Sequence, residues 1–343
     1  MSDRRVPGNR PPTIKDVAAL AGVSMSTVSR VLNGSAAVSS EAADSVRRAV
    51  DRLDFVLSTS ARTLRPGVRS RTWGLLVDDV DSHYFGRLVA ELDRAAEAHG
   101  MTLLIAATPT KWEREKHLIK EMGSRRVDGL LVVPANGDVH GERARVSAVP
   151  AVYIDRLPSG IVADVVTFDY YRAMADLVEG LGQRGHRRIA FIGGEVETDP
   201  GSRRFAAWRD KVREHGGRLD EELVSVGHVQ ADSARDAVVT MLRAAEPPTA
   251  VVTTTGLLLL GLLEGITTEG ADVEIVGSED ISAAFLSPVP LTLVEADLGL
   301  LARHAIEMLI ARLDGPADAP AETRMLPTGQ VHYGNRSTKE SSA

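Results

Sequence analysis

The chain contains no cysteine in 343 residues. Disulfides, thiolate nucleophiles, cysteine-ligated zinc and thiol redox sensing are therefore excluded. Aromatic residues make up only 4%. Apolar runs such as Leu257–Leu263 fall far short of a membrane span. The N-terminal stretch Met1–Pro12 is polar and proline-rich and lacks the apolar centre of a signal peptide. These absences lead to the expectation of a cytoplasmic protein with no membrane partner. Nucleotide and nucleophile signatures are missing too: no Gly-x-Gly-x-x-Gly opening a helix, no P-loop and no Gly-x-Ser-x-Gly. The nine histidines are scattered, with no pair at metal-ligand spacing. No catalytic residue, metal or cofactor is expected, and an α/β enzyme is the weaker alternative.

Hydrophobic residues reach 43% and charged residues 25%, as in a globular protein with a true core. The length suits about two or three domains. The formal net charge of −7 argues against a nucleic-acid binder, but it is unevenly spread. Residues 1–72 carry twelve Lys/Arg against six Asp/Glu, a balance of +6, which leaves −13 for residues 73–343. Such asymmetry points to a nucleic-acid-binding head on a different kind of body.

The head reads as three helices. Thr13 with Asp16 forms a capping-box variant ahead of an apolar face of Ile14, Val17, Ala18 and Ala21, and Gly22 ends that helix. Ser24 can cap a second helix with Val28, Val31 and Leu32 inward, closing at Asn33-Gly34. A third begins at Ser39 and carries Val46, Ala49, Val50 and Leu53 at helical spacing. Two short helices around a glycine turn, braced by a third, make a helix-turn-helix. Periodicity alone permits an ordinary three-helix bundle. The outward face of the second helix favours DNA, because short hydroxyls and one arginine suit phosphates and base edges.

The segment Thr13-Ile-Lys-Asp-Val-Ala-Ala-Leu-Ala-Gly-Val-Ser-Met-Ser-Thr-Val-Ser-Arg-Val-Leu-Asn-Gly34 resembles the headpiece of the LacI/GalR family of bacterial transcription regulators. By that resemblance Met25, Ser26 and Arg30 fall at base-reading positions. Thr13, Ser24, Thr27, Ser29 and Asn33 fall where phosphate contacts are expected. Residues 56–72 read either as a flexible basic tether or, by the resemblance, as a hinge helix and linker. Ser58 would cap that helix, and Ala61, Arg62 and Leu64 would face the minor groove, with Leu64 as the wedge. The family's Pro-Asn before this turn is replaced by Leu57-Ser58.

From Trp73 apolar runs alternate with amphipathic helices such as Phe85–His99. The runs are Trp73–Val77, Met101–Ala106, Val127–Val133, Ala151–Ile154, Arg188–Gly193, Leu223–Gly227, Ala250–Thr254 and Val273–Gly277. The alternation implies parallel sheets with right-handed crossovers, about eight to ten strands in two lobes. Segments Asp79–Phe85, Ser124–Leu131, Val152–Arg156, Gly185–Gly194 and the Arg336-Ser-Thr338 ending resemble the same family's effector domain. The implied fold is an all-α helix-turn-helix headpiece plus an α/β two-lobed, periplasmic-binding-protein-like (type I) effector domain. The expected boundaries are a disordered tail at 1–12, the DNA-binding domain at 13–56, hinge and linker at 57–72, the effector and dimerisation domain at 73–338, and a tail at 339–343. Tyr84, Phe85, Asp155, Arg156, Arg204, Thr255 and Glu279 are the expected effector-binding residues.

Several family side chains are replaced: Thr255-Gly256 stands for Asn-Asp, Ser278-Glu279-Asp280 for Phe-Asp-Asp, Ala296 for Gln, and Ser82-His83 for Asn-Pro. A sugar would find fewer partners here, so the effector is expected to be less polar than a plain monosaccharide, or absent. The expectation is a dimeric, operator-binding regulator, acting as a repressor, with an unidentified small-molecule effector (a sugar or related metabolite). An effector-independent regulator with a degenerate cleft, and a solute-binding receptor, are the alternatives.

Overall fold

The computed structural model describes residues 12–32, 38–55, 69–108, 111–135, 149–278, 284–316 and 318–333. The chain divides into two compact units, Met1–Ser70 and Arg71–Ala343.

The first unit holds α1 (Ile14–Ala21), α2 (Met25–Leu32) and α3 (Ser40–Leu53). The Asp16 carboxylate accepts from both the backbone N–H (2.8 Å) and the hydroxyl (2.7 Å) of Thr13, which fixes the start of α1. Gly22 ends α1 at φ +70°, a left-handed conformation that glycine adopts at little cost, and Val23 N–H closes the turn on Ala18 O. The core is Val17, Ala18, Val28, Val46 and Ala49, ringed by Ile14, Val31, Val50 and Leu53. These are the positions expected from helical periodicity.

The second unit begins with β1 (Thr72–Val77), α4 (His83–Ala98), β2 (Thr102–Ala107), α5 (Trp112–Ser124) and β3 (Gly129–Val132). Strands β4 (Ala151–Ile154) and β5 (Asp164–Phe168) follow, then α6 (Tyr170–Gln183), β6 (Ile189–Ile192) and α7 (Asp199–Glu214). Next come β7 (Val224–Ser225), α8 (Ala231–Leu242), β8 (Ala250–Thr253), α9 (Gly256–Glu269), β9 (Glu274–Gly277) and β10 (Leu291–Glu295). The unit closes with α10 (Leu298–Asp314), β11 (Thr323–Leu326) and β12 (Gly329–Tyr333).

Two six-stranded sheets result, in the orders β11-β5-β4-β3-β1-β2 and β12-β10-β9-β8-β6-β7. Every pairing is parallel except β10 with β12. Central strands carry apolar side chains on both faces, as parallel strands covered by helices must; β3, β5, β6 and β8 are buried throughout. The chain passes between lobes three times: from β5 into α6, from β10 into α10, and from β11 into β12. Helix α10 packs its Leu298, Leu301, Ala305 and Leu309 into the first lobe although it follows a strand of the second.

The eight apolar runs of the sequence all correspond to strands, and the described residues form twelve. The additional four are β5, β10, β11 and β12. Strands β11 and β12, at the sheet edges, alternate polar and half-exposed residues, so no apolar run marks them. Strand β5 opens on an aspartate, a residue depleted from strands.

That aspartate has a structural reason to be there. Asp164 is forked by Arg312 of α10, Nε to Oδ2 at 2.7 Å and Nη2 to Oδ1 at 2.9 Å. Arg312 also donates to the carbonyls of Ala319 and Pro320, and Asp164 accepts from Glu322 N–H at 2.9 Å. One buried ion pair thus holds the strap that delivers β11. Arg312→Ala leaves the Asp164 charge buried and unpaired, which costs about 3–5 kcal/mol. Thermal denaturation should show a fall on the order of 10 °C. The double variant Arg312→Met/Asp164→Leu should recover much of it.

Candidate functional site

In the first unit the site is the outward face of α2. Val28 is buried beneath it, which turns Met25, Ser26, Ser29 and Arg30 outward. Ser26 and Arg30, four residues apart, share one face of the helix. Ser24 caps α2: its hydroxyl accepts from Thr27 N–H at 3.1 Å and lies 2.7 Å from the Ser26 hydroxyl and 2.9 Å from that of Thr27. Three hydroxyls and the positive end of a helix are thereby grouped at one corner, a setting suited to phosphate oxygens. Thr13, at the start of α1, donates its hydroxyl and its N–H to Asp16. Met25 is 54% exposed, an apolar side chain with no place in this core. Asn33, Ser58, Ala61, Arg62 and Leu64 lie outside the described residues.

In the second unit, an open cleft of about 760 Å³ lies beyond the carboxyl ends of the strands, between the two lobes. It brings together Tyr84, Phe85, Asp155, Arg156, Arg204 and Thr255, all expected from the sequence. Glu279 and the Arg336–Thr338 segment lie outside the described residues.

Asp155 follows β4 at φ +72°, and Arg156 N–H closes a tight turn on Ile154 O at 2.9 Å. Such a turn is rare and strained for a residue with a Cβ. Its cause is visible in the partners. Oδ1 of Asp155 accepts from the Tyr84 hydroxyl at 2.6 Å and from the Tyr170 hydroxyl. Oδ2 lies 3.5 Å from Arg156 Nε, and Arg156 Nη2 donates to Asp78 at 2.6 Å. Two hydroxyls of the protein itself thus occupy Oδ1 of this carboxylate. Burial, followed by the charge of Asp155, raises both tyrosine pKa values well above their ordinary 10. Burial pulls Arg156 downward, but the charges of Asp155 and Asp78 outweigh it and its pKa is raised.

Arg204, on α7, is different. It is only 9% exposed, and its guanidinium stacks 4.3 Å from the centre of the Tyr170 ring. Its Nε has no hydrogen-bond partner among the described residues. Tyr170 is thus both an anchor for Asp155 and a platform for Arg204, and it stands at the first passage between lobes. It was not expected from the sequence, since β5, which it follows, carried no signal. His228 was also missed; its Nε2 lies 2.7 Å from the Ser225 hydroxyl, and burial lowers its pKa. Phe85 belongs to the first lobe's core, with the Tyr84 ring edge-on at 5.2 Å.

Among the described residues no helix is long and apolar enough to cross a membrane, and no cluster of three or more potential metal ligands occurs.

Residues 13–58 match the bacterial regulatory proteins of the lacI family, and residues 178–335 match the periplasmic binding protein-like domain. The chain thus joins a lacI-family regulatory domain to a periplasmic binding protein-like domain. LacI-family relatives include the HTH-type transcriptional repressor PurR of Vibrio atlanticus (strain LGP32), 28% identical over 307 residues, spanning 88% of this chain and 92% of that one. Catabolite control protein A of Priestia megaterium is 28% identical over 303 residues, 86% of this chain and 91% of that one. Among solved structures, a lac repressor dimer bound to operator and the anti-inducer ONPF is 25% identical, with a TM-score of 0.81 over 94% of this chain and 98% of that one. A complex of the transcriptional regulator CelR with cellobiose is 28% identical, with a TM-score of 0.68 over 93% and 98%. A LacI-family headpiece followed by a two-lobed α/β body is thus the architecture of this protein.

Proposed function

We propose that this protein is a transcriptional repressor that binds a palindromic operator as a homodimer and is controlled by a small molecule in the cleft of its body. The observation that carries the reading is the pairing of a lacI-family reading helix, with Met25, Ser26 and Arg30 outward, with a body whose cleft holds an unpartnered, buried arginine nitrogen. Met25, Ser26 and Arg30 read base edges in the major groove, and Ser24, Thr27, Ser29 and Asn33 hold phosphates. Residues 13–56 form the DNA-binding domain. Residues 57–72 supply the hinge, where Ser58 caps a short helix and Arg62 and Leu64 enter the minor groove beside Ala61. Residues 73–338 form the effector and dimerisation domain, and residues 1–12 and 339–343 are tails outside both. The work is binding rather than turnover, and its site is the cytoplasm, where the operator is.

Two-fold symmetry of the dimer matches two half-sites. A ligand that favours one disposition of the lobes acts on all three passages between them, and coupling of about 1–3 kcal/mol changes operator affinity roughly 5–150-fold. Genomic footprinting with the full-length protein identifies the operator. On that operator Arg30→Ala should lose about 1–3 kcal/mol of discrimination while keeping its salt-dependent affinity for unrelated DNA. Equal losses on operator and unrelated DNA would assign Arg30 to phosphate and remove it from base reading.

A further inference from the structure

The polar side chains of the cleft are mostly spoken for within the protein. Oδ1 of Asp155 holds two tyrosine hydroxyls, and Arg156 is tied to Asp78 and Asp155. The Thr255 hydroxyl accepts from Leu258 N–H at 3.3 Å to cap α9, and that of Thr254 accepts from Gly194 N–H at 3.1 Å. His228 is paired with Ser225. Arg204 stands apart: it is nine-tenths buried, lines the cleft, and closes no ion pair among the described residues.

Around it the second lobe presents hydrocarbon. Leu257, in the first turn of α9, is 46% exposed, and Val229 is 63% exposed. Val196 is half-buried against the second lobe's core, and all three line the cleft. Leu258 and Leu259 of the same helix turn into the core, so the apolar character of Leu257 serves no packing role there. Of the acidic side chains that line the cleft, Asp78 and Asp155 face Arg156, and Asp79, Asp81 and Glu195 are exposed, where solvent and salt screen them.

We infer that the ligand of this cleft is an apolar-bodied carboxylate, its carboxylate forked by Arg204 and its hydrocarbon part laid on Leu257, Val229 and Val196. This rests on the reading of the body as an effector domain and names the chemistry that domain takes. The planar guanidinium matches two carboxylate oxygens, and Tyr170 beneath it fixes its plane. Sugar hydroxyls laid on Leu257, Val229 and Val196 would be desolvated there without compensation.

The test is calorimetric titration of the full-length protein with acetate, butanoate, hexanoate and octanoate, and with glucose as the polyhydroxyl probe. Affinity should rise about fourfold per added methylene until the wall is covered, and glucose should give no heat. Arg204→Gln should weaken octanoate at least tenfold while the chain-length slope persists. Leu257→Asn and Val229→Asn, both at exposed positions, should flatten the slope with the folded state unchanged by circular dichroism. Preference for glucose, an affinity indifferent to chain length, absence of carboxylate binding, or an unaffected Arg204→Gln overturns the inference. Operator binding is followed in parallel by fluorescence anisotropy. Its retention in a protein that ignores carboxylates overturns the ligand class alone; its absence overturns the regulator reading, whatever the titration shows.

Discussion

Removal of residues 1–70 should abolish operator binding and leave the melting temperature of the remaining body unchanged. The basis is the separation of cores. Val17, Ala18, Val28, Val46 and Ala49 form the head's own cluster. None of the four clusters of the body draws on a residue before Trp73. Among the described residues each unit thus has hydrophobic clusters of its own. The expected functional effect is large, because specific binding exceeds non-specific binding by roughly 10³–10⁷-fold for proteins of this kind. The truncated chain should not retain even the non-specific part. Residues 71–343 carry −12, and such a surface is repelled by a polyanion where the basic head is drawn to it. Anisotropy with labelled operator and differential scanning calorimetry check the two halves of the prediction. Sedimentation should find the fragment dimeric, and a monomer would move the association surface into the head or hinge. A body that unfolds when the head is removed would mean that the two units are energetically one.

The head was the most legible part of this protein in sequence, for a physical reason. Its determinants are local: Thr13 with Asp16, Gly22 after Ala21, Ser24 before Met25, and apolar residues three and four apart. Each interaction spans at most one helical turn. The strands of the body were legible where they are central, because burial on both faces leaves an unbroken apolar run, as in Ala250–Thr253. Edge strands β11 and β12 escaped because polar, exposed residues interrupt them, whereas the edge strands β2 and β7 kept an apolar run; β5, although buried throughout, was hidden by its opening Asp164. In the cleft, the identities of Tyr84, Asp155, Arg156 and Arg204 were legible but their occupations were not. Tyr84 reaches Asp155 across 71 positions of sequence, Arg156 reaches Asp78 across 78, and no periodicity encodes such pairings. The structure adds Tyr170, and with it the carboxylate becomes the centre of an internal network.

The second large effect is expected at that centre. Asp155→Ala removes the acceptor of two buried phenol hydroxyls and one of the two carboxylates beside Arg156. Leaving charged and polar groups buried without partners costs about 3–5 kcal/mol. Alanine at φ +72° adds backbone strain that aspartate and asparagine tolerate better. Asp155→Asn should therefore be the milder variant, since its amide oxygen can still accept both hydroxyls while its amide nitrogen faces Arg156 unfavourably. Chemical denaturation of the body separates the two. Alkaline titration gives an independent reading of the same network. The Tyr84 and Tyr170 pKa values are raised in the folded state, by burial first and by Asp155 second. Their contribution is therefore complete below pH about 10 and is lost as pH rises through the folded values, because the unfolded chain releases those protons first. The wild type should lose stability steeply in that range, and Tyr84→Phe/Tyr170→Phe should flatten the dependence. The head keeps its own core in every one of these variants. Each should thus still bind unrelated DNA with ordinary salt dependence while its operator affinity no longer answers to a ligand. Loss of DNA binding together with loss of the cleft would instead mean that the Asp155 network supports the head as well.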